Sequence, residues 1–219
     1  MGTLLVIICL QSIHYGYVMG TWNRVSHIFI ALYGWDPEET VRYEGLVGMS
    51  PVLGIMVGRM IGSQEVNKGR YRCIMLGSVI ITAGIGIQLV ANIWMFLLGR
   101  VCCAFGMGFF FPAASRYIEE CSPPQLLTLF YTLYSFGVSL ARPLLALTSL
   151  ILPTTEVKSH SDTYSWRIFL GIPIIFSFLF LFGMLFVVRS ETPTYLINQG
   201  CKKEAIEALR RFIHHKENP

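Results

Sequence analysis

Two polar pairs set inside otherwise apolar stretches are the residues of this chain best placed to do chemistry. Ser135 and Arg142 stand seven residues apart. Seven helical steps return to within about 20° of the same azimuth, so a helix that turns Ser135 toward a cavity turns Arg142 there as well. A charged side chain within an apolar span costs about 2.5–3.5 kcal/mol on insertion scales and normally faces protein or water. Two uses of Arg142 are open: it binds an anionic substrate, or it reaches the outer interface or a neighbouring helix from beside Pro143. Gln11 and His14 are three residues apart and share a face with Tyr17 and Val18, which makes them cavity candidates. For His14 the equal alternative is a hydrogen bond to a neighbouring helix. A third stretch carries Arg100 at its start and Glu119 and Glu120 at its end.

Other chemistries have no footing. No His, Cys and carboxylate cluster has metal-ligand spacing, and no nucleophile elbow or phosphate loop occurs. Glu119 and Glu120 are adjacent and cannot converge on one substrate. No enzyme activity, cofactor, metal or nucleic-acid partner is therefore expected. The six cysteines, Cys9, Cys73, Cys102, Cys103, Cys121 and Cys201, form no C-x-x-C pair and read as free thiols packed as small apolar groups.

What must position these residues is a membrane. The chain is 53% hydrophobic and 14% charged, against roughly 25% charged in soluble domains. Windows of about 20 apolar residues, the length that crosses a hydrocarbon core, fall near 3–22, 45–63, 73–91, 93–116, 127–151 and 167–188. The first lacks a basic leader and a small-residue cleavage site, so it reads as a retained span and not as a signal peptide. Lys68, Arg70 and Arg72 follow the second span, and Arg189, Lys202, Lys203, Arg210, Arg211 and Lys216 follow the sixth. The other connections carry few basic residues, so both termini are expected on the inner side. The expected organisation is a six-helix bundle over 1–189 and an inner-side tail over 190–219.

Local signals refine this outline. Gly54, Gly58 and Gly62 make a small-residue ridge for close helix packing, and Arg59 lies near the inner end of its span, where it can snorkel. Pro37 beside Asp36, Glu38 and Glu39 signals a helix start within the first outer loop, 23–44. The fifth connection, 152–166, is polar. From Pro193 to His215 the pattern predicts one amphipathic helix, lying on the membrane or packed under the bundle.

In order along the chain come Tyr15-Gly16-Tyr17 with Gly20, Gly69-Arg70, Gly99-Arg100, Tyr117 with Glu120 and Ser122-Pro123, Trp166-Arg167, and Glu191-Thr192-Pro193 with Tyr195-Leu196. Together they resemble the N-terminal half of the sugar porter family of the major facilitator superfamily. The resemblance implies an all-α membrane fold in which two six-helix bundles, each of 3+3 inverted repeats, hold substrate between them near the midplane. It also implies a cytoplasmic charge gate, matched here by Arg70, Arg100, Glu120 and Glu191. Departures accompany it. Val18 stands where proton-coupled members have Asp, Ser135 aligns with a sugar-contacting Gln, and Thr194 replaces an Arg of the tail motif. Val66 stands where the gate loop usually has an acid, and Leu127 replaces an Arg, which leaves Glu120 without its expected partner.

Two functions follow from the resemblance and its departures. One is half of an alternating-access facilitator for a hexose or another small polar solute, working with a second six-helix bundle and using Gln11, His14, Ser135 and Arg142 in the cavity. The other is a degenerate half-transporter kept as a structural subunit of a larger membrane complex such as a respiratory assembly.

Overall fold

The computed structural model describes residues 2–90, 92–152 and 162–213, and the described residues contain helices and no strand. Among the described residues nine α-helices run in order: α1 Gly2–Gly20, α2 Trp22–Tyr33, α3 Pro37–Glu65, α4 Arg70–Gln88, α5 Ile93–Cys121, α6 Leu127–Thr148, α7 Asp162–Gly183, α8 Pro193–Asn198 and α9 Lys202–Ile213. Five helical stretches are long and apolar enough to cross a membrane: Pro37–Lys68, Arg70–Gln88, Ile93–Cys121, Pro124–Ile151 and Tyr164–Val188. Of the polar fifth connection, 153–161 lies outside the described residues, and so do His214 and His215.

The structure departs from the sequence outline in two places, the first outer loop and the tail, and bears out the helix start at Pro37. The loop expected over 23–44 is largely helical, because α2 buries Trp22, Val25, Ile28 and Phe29. Gly34 then stops it in the left-handed conformation, φ 63°. α3 starts eight residues before its apolar window, at the Pro37 signal, where Asp36 and Glu39 form a capping box. The single tail helix expected over 193–215 is broken by Gly200, φ 78°, into α8 and α9.

α5 packs along both α3 and α4, α1 packs along α6 and α7, and α4 meets α7. Glycines set the closeness of the first contact. A Cβ added at Gly54, Gly58 or Gly62 would fall 2.6, 2.3 or 2.9 Å from the backbone of α5, so backbone meets backbone. Gly16 of α1 approaches the Val138 carbonyl of α6 as closely, 2.4 Å from its would-be Cβ.

Gly58→Ala is therefore expected to push α3 from α5 and destabilise the bundle by about 1–3 kcal/mol. Gly45 and Gly48 on the same helix have open space where a Cβ would go. Alanine there is expected to leave stability unchanged or to raise it by less than about 1 kcal/mol. Thermal unfolding in detergent compares the three variants, and equal midpoints for all of them would refute the close-packing assignment.

Prolines inside the helices free acceptors that the structure uses. Pro173 has no N–H for the Phe169 carbonyl, which instead accepts from the Tyr17 hydroxyl at 3.3 Å. Pro51 releases the Val47 carbonyl in the same way, and the Ser50 hydroxyl takes it at 2.9 Å.

Candidate functional site

The densest polar network joins the ends of α4, α5 and α7 to α8. Gly69 precedes α4 with φ 149°, and a Cβ there would sit 2.8 Å from a Glu191 carboxylate oxygen, so glycine is required on both counts. Glu191 accepts from the backbone N–H groups of Tyr71 at 2.9 Å and Arg72 at 3.2 Å. A carboxylate there satisfies free donors of the α4 N-terminus and complements its dipole. Arg70 donates through Nε and Nη2 to one oxygen of Glu120, at 3.1 and 2.9 Å, and the Thr192 hydroxyl donates to the other oxygen. The Arg70 guanidinium also lies 5.1 Å from the Tyr195 ring centre, and the Tyr195 hydroxyl donates to the Lys68 carbonyl at 2.7 Å. Tyr117 closes the network by donating to the Ser190 carbonyl at 2.8 Å.

This corrects the reading that Glu120 has lost its partner with the change to Leu127. Arg70, fifty residues away in sequence, supplies the charge, and Thr192 holds the second oxygen. The side chains of Arg70 and Glu120 are only 10% and 11% exposed, so solvent screens the pair weakly.

Arg100 does not join Arg70, Glu120 and Glu191. It lies twenty residues before Glu120 on the same helix, a separation of roughly 30 Å at 1.5 Å per residue. Its guanidinium instead borders a small pocket between α1, α3 and α5, with Tyr15, Val18, Met19, Pro51 and Met107. Arg100 is 4% exposed. Its Nη1 donates to the Thr21 hydroxyl at 3.4 Å, its centre lies 5.8 Å from the Phe96 ring, and its Nε has no hydrogen-bond partner. Among the described residues no carboxylate pairs with it. The signal that separates it from Arg70 and Glu120 is its place in the helix: Arg100 lies near the start of α5 and Glu120 near its end.

Aromatic side chains continue this face. Phe111 meets Tyr15 edge to face at 4.8 Å and Tyr134 at 6.0 Å, with the Arg59 guanidinium 5.6 Å from its ring centre. Sequence reasoning placed Arg59 near the inner end of its span and did not connect it with Phe111. Ser135 and Arg142 are both exposed. They stand about 40° and 20° around α6 from Tyr131, by 100° per residue, and the Tyr131 hydroxyl donates to Glu119 on α5 at 2.7 Å. They therefore flank the side of α6 turned toward α5. Gln11 and His14 are fully buried, none of their side-chain nitrogen or oxygen atoms has a hydrogen-bond partner, and neither borders the Arg100 pocket.

The family model described as "Sugar (and other) transporter" matches residues 4–219. Among curated relatives, sugar transport protein 8 of Arabidopsis thaliana is 32% identical over 73% of this chain and 30% of its own length. Hexose transporter 1 of Toxoplasma gondii is 24% identical over 100% of this chain and 42% of its own. The chain thus spans less than half the length of these relatives. Among solved structures, the proton:xylose symporter XylE bound to 6-bromo-6-deoxy-D-glucose superposes with a TM-score of 0.81 at 19% identity, covering 96% of this chain and 49% of that one. A partially occluded inward-open XylE from E. coli gives 0.83 at 18% identity, over 96% and 55%.

Proposed function

The chain belongs to the sugar transporter family of the major facilitator superfamily, and from that premise we propose that it is one half of an alternating-access facilitator that moves a hexose or another small polar solute down its gradient. In this reading α1 is a sixth membrane span beside the five longer apolar stretches, and both termini and the α8–α9 tail lie on the inner side. The helix pairing supports a 3+3 organisation. The contacts of α5 with α3 and α4 have counterparts in those of α1 with α6 and α7, the exchange that an inverted repeat requires. A second six-helix bundle facing α1, α3, α5 and α6 would complete the path.

The observation that carries the proposal is the polar network of Arg70, Glu120, Glu191 and Thr192, which we read as the inner gate. Arg70, Glu120 and the adjacent pair Glu191 and Thr192 come from three separate chain segments and meet at the ends of three long helices. Ion pairs at helix ends break and re-form at modest cost when water reaches them, which suits a latch that opens once per cycle. The case for a structural subunit rests on the changes at Val18, Leu127, Ser135 and Thr194, and the Arg70 contact removes the consequence of one of them, since Glu120 keeps a charged partner despite Leu127.

Flux assays on natively extracted protein in sealed liposomes test the proposal. Saturable uptake from a panel of hexoses, small polyols and anionic sugars such as glucuronate, abolished in Glu120→Ala, is expected. No uptake above empty liposomes across the panel would overturn it.

A further inference from the structure

The geometry points to an anionic monosaccharide, one bearing a carboxylate or phosphate, as the solute held by this cleft, an inference that rests on the transport reading above. Three arginines lie on the helices that would face the second bundle: Arg59 on α3 and Arg142 on α6, both exposed, and Arg100 on α5, 4% exposed beside the small pocket. Two of them share a depth. Gly16 of α1 approaches Val138 and Ala141 of α6, and Gly20 approaches Leu145, so Arg142 stands level with Tyr17 and Val18. Val18 and Arg100 border the same pocket. The two guanidinium-bearing positions thus lie on either side of α1 at the level of Val18.

No acid balances them from within the apolar spans. The sequence has no Asp or Glu from residue 1 to 35, from 66 to 118, or from 121 to 155. Among the described residues Arg100 is paired with a threonine hydroxyl and an aromatic ring, and its Nε has no hydrogen-bond partner. Arg59 rests on Phe111 and is exposed. Positive charge without a counter-ion is costly in a low-dielectric wall, and a solute carrying its own negative charge removes that cost on binding. Guanidinium groups match carboxylate and phosphate oxygens in a fork geometry. The adjacent rings of Tyr15, Phe111 and Tyr134 offer apolar faces to the body of a sugar. Ser135, seven residues before Arg142 on the same side, contributes one hydroxyl, too little to grip a neutral sugar through several oxygens.

Equilibrium binding to the purified full chain, with glucose, glucuronate and glucose 6-phosphate as probes, tests this. At least tenfold tighter binding of either anion than of glucose is expected, and choosing between the two anions identifies the charged group. Arg142 is exposed, so Arg142→Gln is expected to fold and to collapse that preference ratio at least tenfold, with Arg142→Lys restoring part of it. Glucose binding as tightly as both anions would overturn the inference and leave the transport proposal standing. An anion preference unchanged in Arg142→Gln would overturn the assignment to these arginines. Failure of all three probes to bind would overturn this inference, and the liposome flux assay would then decide the transport reading by itself.

Discussion

Glu120→Ala is expected to cost about 3 kcal/mol of stability and to leave the inner end of the bundle open. The substitution strands Arg70, whose Nε and Nη2 both bond to Glu120 and whose side chain is only 10% exposed. Removing one partner of a buried pair typically costs 3–5 kcal/mol because an uncompensated charge remains. The low end applies here because the Val66 carbonyl at 3.5 Å and the Tyr195 ring still receive the guanidinium. The same change frees the Thr192 hydroxyl, so α8 loses its tie to α5. Two readouts follow. Thermal unfolding should show the loss of stability, and Cys121, buried beside Glu120, should react faster with a water-soluble maleimide. The double variant Arg70→Met with Glu120→Leu should recover most of the stability, since an apolar pair replaces the ions without stranding a charge, and should not recover transport. A single variant as stable as the parent, with Cys121 still protected, would remove the gate from the account.

Val18→Asp is the second large effect expected. Val18 and Arg100 line the same pocket, and Arg100 has no carboxylate partner among the described residues. An aspartate at position 18 gives Arg100 a counter-ion, which offsets the cost of a buried charge held without one. The variant should therefore tolerate the introduced acid, seen as an unfolding midpoint in detergent close to that of the parent, whereas Val18→Asp combined with Arg100→Leu should lose stability. The transport consequence is sharper. The parent has no carboxylate at this position to take up a proton, so its uptake should be indifferent to an imposed proton gradient, whereas uptake by Val18→Asp should respond to one. Equal proton dependence in parent and variant would contradict the assignment of Val18 and Arg100 to one site.

Much of this organisation can be read along the chain, because membrane spans and close helix contacts are written in local pattern. Length and apolarity locate the long helices, Pro37 with its acidic neighbours marks where α3 starts, and the Gly54, Gly58 and Gly62 spacing names the face that meets α5. The missed features are those that depend on partners distant in sequence or on single backbone angles. α2 has only 12 residues, too few for a spanning window, and is held by aromatic contacts to Phe96 and Trp166 on other helices. Gly200 interrupts an otherwise continuous amphipathic pattern through its left-handed backbone.

The site shows the same division. Arg70, Glu120 and Glu191 are prominent as charges at helix ends, but their pairing joins residues 50 or more positions apart, and Thr192 gives no sequence signal for its bond to Glu120. The resemblance groups Arg100 with them, and the twenty helical residues from it to Glu120 place it elsewhere. Arg59 looked like an ordinary snorkelling residue, since nothing local to α3 announces the Phe111 ring beneath it.

The central claim is that this half-transporter fold conducts a small polar solute without coupling to protons, and the most direct measurement is solute uptake into sealed liposomes reconstituted from the natively extracted protein, with and without an imposed pH gradient. The account predicts saturable uptake of the same initial rate in both conditions, lost in Glu120→Ala. Uptake indistinguishable from that of empty liposomes would contradict transport, and uptake in the parent that follows the proton gradient would contradict the passive mechanism.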